Sequence, residues 1–215
     1  MPETLETLNC SNTPLKELPE LPELLLKLIC DNTQMTTLPK LPDGLTTLQC
    51  SNTHITELPP LPNNMKAIIC YKTGLTSLPQ FPPSFELIDF SHTLVSQIPA
   101  LPEGFMALLC SHTPITKLPD LPDSVVRVIC DNTPLTVLPT LPESIESLNC
   151  SHTGITCLPS LPDGIESVNC SYTRLLTLPR VLPESLKYFN CANTLLSNRL
   201  ENEDIHTWHK RVIEI

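Results

Sequence analysis

Aromatic residues are scarce in this chain, cationic residues are outnumbered, glycine is rare, and no long apolar run occurs. With aromatics at only 4% of 215 residues, any core must be built mainly from aliphatic side chains. Thirteen Lys and Arg against 23 Asp and Glu give a formal charge of −10. That balance argues against non-specific binding to nucleic acid or to anionic membrane, since both need a basic surface. No segment approaches the roughly 20 consecutive apolar residues that span a bilayer. The opening MPETLETLNC has neither a basic start nor an apolar stretch, so no signal peptide is expected. Five glycines form no phosphate-cradling loop, and no Ser/His/Asp set has a usable spacing. The expectation is a protein that is not an enzyme and needs no cofactor.

What the sequence does contain is repetition. Cysteine falls at Cys10, Cys30, Cys50, Cys70, Cys110, Cys130, Cys150 and Cys170, with Phe90 in the one gap. One residue inserted near Val181 moves the next to Cys191. Self-similarity at a fixed short period marks a solenoid, in which each unit contacts only its neighbours. The 24 prolines would suggest a disordered linker if they were scattered, but they too are periodic.

Units begin at Leu5, Leu25, Leu45, Met65, Phe85, Phe105, Val125, Ile145, Ile165 and Leu186. Within each, the first, fourth, sixth, eleventh, fourteenth and seventeenth positions are apolar, as in Leu5, Leu8, Cys10, Leu15, Leu18 and Leu21. Leu8-Asn9-Cys10 alternates with the period of a strand that buries one face. The following Leu-Pro-x-Leu-Pro cannot be helical, because proline fixes φ and drives the preceding residue out of the α region. A polyproline-like arm with three residues per turn would put Leu18 and Leu21 on one side. The ninth position is Thr in every unit, Thr13 through Thr194. A column of hydroxyls there is expected to satisfy turn backbone groups of successive coils.

Three domains follow: a lead-in over 1–4, ten repeat units over 5–197, and a helical cap over 198–215. The cap rests on Asn198 and Glu201 as a capping box, and on Ile205, Trp208, Val212 and Ile215 sharing one helical face. The first strand is left open at its edge, which offers a route to self-association, although Glu3, Glu6 and Pro2 blunt it.

The unit LTTLQCSNTHITELPPLP resembles the twenty-residue bacterial class of leucine-rich repeats. That class is best known from effectors that pathogens inject into host cells, and similar proline-rich arrays occur among giant-virus proteins. The resemblance implies short parallel strands on a concave face, extended convex arms, and protein recognition through the repeat surface. The departures are Cys at the sixth position, where the family is usually aliphatic, and Thr at the ninth, where it usually has Asn. Some effectors also carry a helical hairpin before the repeats and a ubiquitin-ligase domain after them. Nothing comparable is seen here, so ligase activity is not carried over.

Candidate chemistry reduces to three features. The Cys column reads as core thiols, because a straight column offers at most two ligands near any point and disulfides need side chains turned toward each other. Cys157 stands outside the column and is the expected reactive thiol. His92, His112 and His152 share the eighth position with Asn52, Lys72 and Tyr172, which reads as a tolerant surface site with no metal. The outward strand positions carry more information. Most are polar, but Ile69, Leu87, Met106, Leu109, Val126 and Ile129 form an apolar cluster in the middle of the array. Contiguous exposed apolar surface marks an interaction site, so these six are the expected protein-binding residues. The expected setting is a reducing compartment: cytoplasm, the host's if the effector likeness holds, or a virion. A structural or decorating role in a larger assembly such as a virus particle is the alternative, and thiol sensing a weaker third.

Overall fold

The computed structural model describes residues 1–196, and the expected cap lies outside the described residues. Each unit contributes one three-residue strand: β1 (Thr7–Asn9), β2 (Lys27–Ile29), β3 (Thr47–Gln49), β4 (Ala67–Ile69), β5 (Leu87–Asp89), β6 (Ala107–Leu109), β7 (Arg127–Ile129), β8 (Ser147–Asn149), β9 (Ser167–Asn169) and β10 (Tyr188–Asn190). They form one sheet in chain order, and every pairing is parallel. The register is the repeat itself, Leu87 opposite Ala107 and Asp89 opposite Leu109. A twenty-residue period leaves each strand no freedom to slip, since a one-residue shift would turn its apolar residue to solvent.

The strands are short because the chain turns at both ends, yet the hydrogen-bond ladder continues past them. The sixth-position N–H donates to the next coil's fifth-position carbonyl, as Cys30 does to Gln49 at 2.8 Å. The eighth-position N–H donates to the next coil's seventh-position carbonyl, as His112 does to Asp131 at 3.0 Å. At the far turn, Phe85 N–H closes onto Pro82 C=O at 3.1 Å, and the same turn recurs in each unit. No helix occurs among the described residues; the Leu-Pro arms cross the back of the sheet without regular strands. One isolated bridge links them, at Cys157 and Thr177.

The corner after each strand has a specific conformation. The eighth-position residue has positive φ in every unit, from 53° at Asn52 to 60° at Asn12. L-residues pay sterically for this left-handed region, and Asn tolerates it best. That accounts for Asn at Asn12, Asn32, Asn52, Asn132 and Asn193. The side chain is therefore tolerant, as the sequence suggests, while the backbone beneath it is constrained. The ninth-position hydroxyl closes the same corner. Each Thr Oγ1 donates to the carbonyl of its own unit's sixth residue, at 2.6 Å from Thr113 to Cys110 and 2.7 Å from Thr53 to Cys50. The threonines thus satisfy the turns of successive coils, as the sequence suggests, each acting on its own coil.

Between the sheet and the arms lies a continuous aliphatic core. In the inner units the first, fourth, sixth and eleventh positions are fully buried, as Leu45, Leu48, Cys50 and Ile55 are. Each such aliphatic side chain contributes on the order of 1.5–3 kcal/mol by leaving water. Four of the five phenylalanines gather at mid-array, where Phe81 stacks on Phe85 with ring centres 4.6 Å apart and Phe90 fills the cysteine slot. The inserted residue is absorbed by the arm. Val181 is 73% exposed while Leu178 and Leu182 on either side stay buried, so β10 keeps its pairing with β9.

Two substitutions test the corner. Thr113→Val retains shape but leaves the Cys110 carbonyl without its buried donor, and should cost about 1–3 kcal/mol in denaturant unfolding. His112→Val should cost about 1–2 kcal/mol, because a β-branched residue is strained at φ 54°, whereas His112→Asn should be close to neutral.

Candidate functional site

Because alternate strand residues face opposite ways, each outward position forms a row across the sheet. The fifth-position row runs Gln49, Ile69, Asp89, Leu109, Ile129, Asn149 through the paired registers. Ile69, Leu87, Met106, Leu109 and Val126 border a single open depression of about 360 Å³, with Ala107 as its floor. Five of the six sequence-selected residues are thus brought together. Ile129 lies beside Leu109 in the row but outside this depression. Met106 is the most open of the five, at 45% exposure.

The depression also has a polar border, which the apolar pattern of the sequence does not mark. Glu86, Asp89, Arg127, Glu146 and Ser147 complete the lining. Asp89 stands in the same row as Ile69 and Leu109, directly between them, and its Oδ1 accepts the Ser91 N–H at 3.0 Å. Glu86 pairs with Lys66 at 3.0 Å, but both are well exposed, so the pair contributes little to stability. Among the described residues, Arg127 and Glu146 form no ion pair. The period contained the signal: each polar border residue occupies an outward second, third or fifth position, as the apolar ones do.

The eighth-position row runs along one side of the strands. His92 and His112, from the units that carry Leu87 and Met106, stack with ring centres 4.1 Å apart and planes within 12°. His152 and Tyr172 stack similarly at 4.3 Å. Partial desolvation and the neighbouring His112 and Lys72 push the His92 imidazole below its usual range, against an opposing pull from Asp131 and Asp89. Parallel rings do not aim their nitrogens at one point, and among the described residues no three metal-ligating side chains converge. The nearby Asp131 has structural partners: it accepts Ser111 Oγ at 2.6 Å, Asn132 Nδ2 at 2.7 Å and Asn149 Nδ2 at 3.1 Å.

The cysteine column lies on the inner side of the sheet. The column cysteines from Cys30 to Cys170 are buried free thiols; Cys157 is exposed, while Cys10 and Cys191 at the two ends are half-buried. Column thiols donate to the carbonyl of the adjacent coil, as Cys30 does to Gln49 at 3.3 Å and Cys130 to Asn149 at 3.4 Å. Burial pushes Cys30 up to about 12, with Cys10 and Asp31 adding to the effect, and drives Cys50 and Cys130 well above the ordinary thiol range. Such thiols are poor nucleophiles, because the thiolate is the reactive form.

Among solved structures, YopM from Yersinia enterocolitica matches with a TM-score of 0.78 at 28% identity, covering 92% of this chain and 48% of YopM. The leucine-rich-repeat domain of a Shigella effector matches with a TM-score of 0.63 at 27% identity, over 70% of each chain. The functional domain of InlJ from Listeria monocytogenes, which includes a cysteine ladder, shares the fold with a TM-score of 0.74 at 21% identity, over 89% of this chain and 44% of that one. This chain thus spans about half the length of YopM. No protein-family model and no curated protein sequence matches it.

Thiol chemistry provides the check on the column. With a maleimide probe at neutral pH, Cys157 should label within minutes, while Cys50, Cys70, Cys110 and Cys130 should label only on unfolding. Rapid labelling of several column cysteines in the folded protein would show that burial does not protect them.

Proposed function

We propose that this leucine-rich-repeat solenoid is a non-catalytic recognition module that engages a protein partner across its concave sheet face. The observation that carries the reading is the grouping of Ile69, Leu87, Met106, Leu109 and Val126 around one open depression. Elsewhere the outward rows are largely polar, as at Asn9, Gln49, Asn149 and Asn169. Nothing in the core requires apolar side chains at these positions, because the buried layer is complete beneath them at Phe85, Ile88, Phe105 and Leu108. Likeness to effector leucine-rich-repeat proteins supports an interaction role at the level of fold. The free thiols of the buried column suit a reducing compartment.

The test is site-specific. A photo-cross-linking residue at Leu109 should trap a protein partner in cells, and one at Val137 on the convex arms should not. Leu109→Asp should abolish the complex while leaving the melting temperature within a few degrees, because Leu109 is only half-buried. Cross-linking from Val137 alone would put the contact on the arms and overturn the reading.

A further inference from the structure

If the concave depression is the recognition surface, its border specifies the partner's chemistry further than its apolar floor does. Three carboxylates line it, Glu86, Asp89 and Glu146, against one guanidinium, Arg127. Only Glu86 has a cationic partner within the described chain, Lys66. Asp89 is placed where a hydrophobic partner would least tolerate it, between Ile69 and Leu109 in the same row. Half-buried there, it would lose water on any docking event unless a cation or donor from the partner met it. Glu146 closes the opposite end of the depression, exposed and without an ion pair among the described residues. The whole chain carries −10, so the long-range field favours the same sign of partner as the local border does.

The spacing of the two carboxylates that lack a cationic partner among the described residues sets a ruler. Asp89 ends β5 and Glu146 immediately precedes β8, three strands along the sheet. At about 4.8 Å per strand and about 3.3 Å per residue along a strand, their backbones stand on the order of 15–18 Å apart. An extended segment spans that distance in about five residues. We infer that the depression takes an extended cationic segment in which one apolar anchor, seated among Leu87, Met106 and Leu109, is bracketed by two Lys or Arg about five residues apart. Asp89 receives one cation and Glu146 the other, and both pairs form as the anchor displaces water from the floor. This inference rests on the concave-face reading above and is tested so that the two can fail separately.

The experiment is selection of a displayed library of random twelve-residue peptides against the whole chain, followed by affinity measurement on the enriched peptides. The expected result is enrichment of an apolar residue flanked by Lys or Arg at about that separation, with affinity falling as salt is raised from 50 to 500 mM. Asp89→Asn keeps an oxygen for the Ser91 N–H and removes only the charge. It and Glu146→Gln should each weaken such a peptide by about two- to fivefold, as expected for partly solvated pairs. Leu109→Asp should abolish binding. If the enriched peptides are neutral or acidic, or indifferent to both charge-removing variants yet sensitive to Leu109→Asp, the cationic inference is overturned and the concave-face reading stands. If they are indifferent to Leu109→Asp as well, both are overturned. A library that yields no binder from this chain overturns the inference, since a short extended segment is what it requires.

Discussion

Every other feature depends on the corner that follows each strand. There the chain must reverse without leaving a carbonyl or N–H orphaned against the core, and three devices achieve it together. A left-handed residue at the eighth position redirects the backbone, its N–H continues the ladder to the next coil, and the threonine hydroxyl caps the sixth-position carbonyl. Remove one and a buried polar group loses its partner, which costs more than most packing defects on the surface. Because the corner recurs unchanged, the strands stay in register over ten coils, even past the residue inserted at Val181.

With stability supplied by corner, ladder and core, the outward rows are released from structural duty. Second-, third- and fifth-position side chains neither fill the core nor bear on the turn, apart from local caps such as Asn149 and Asn169 accepting from Ser151 and Ser171. They can therefore drift between polar and apolar at small cost in folding. An apolar cluster gathered at the middle of these rows is a departure that the fold does not call for. The stacked His92 and His112 beside it follow from the same liberty, since the corner dictates their backbone and leaves their rings to solvent and to each other.

The cysteine column shows the opposite situation. Sulfur at the sixth position is small enough for close approach of adjacent coils and can give its proton to a neighbouring carbonyl, which an aliphatic residue cannot. Phe90 occupies the same slot fully buried, so volume there is negotiable locally. Desolvation of the thiols disfavours the reactive thiolate in the column, and Cys157 on the arm is the exposed thiol.

The period alone determined the fold: which residues are buried, that the strands are parallel and in register, and that the Leu-Pro arms are not helical. It could do so because a repeat imposes the same local solution ten times, and a pattern of apolar positions admits only one stacking. The apolar residues of the depression were legible for the same reason, since their row positions follow from counting. What only the tertiary structure decided depends on torsion angles and on distances between coils. The left-handed eighth residue was hidden because Asn, Lys, His and Tyr all occupy it. That threonine bonds within its own coil was equally open, because a hydroxyl at that spacing can reach either neighbour. And Asp89 became part of the depression only when stacking set it between Ile69 and Leu109, twenty residues away on either side along the chain.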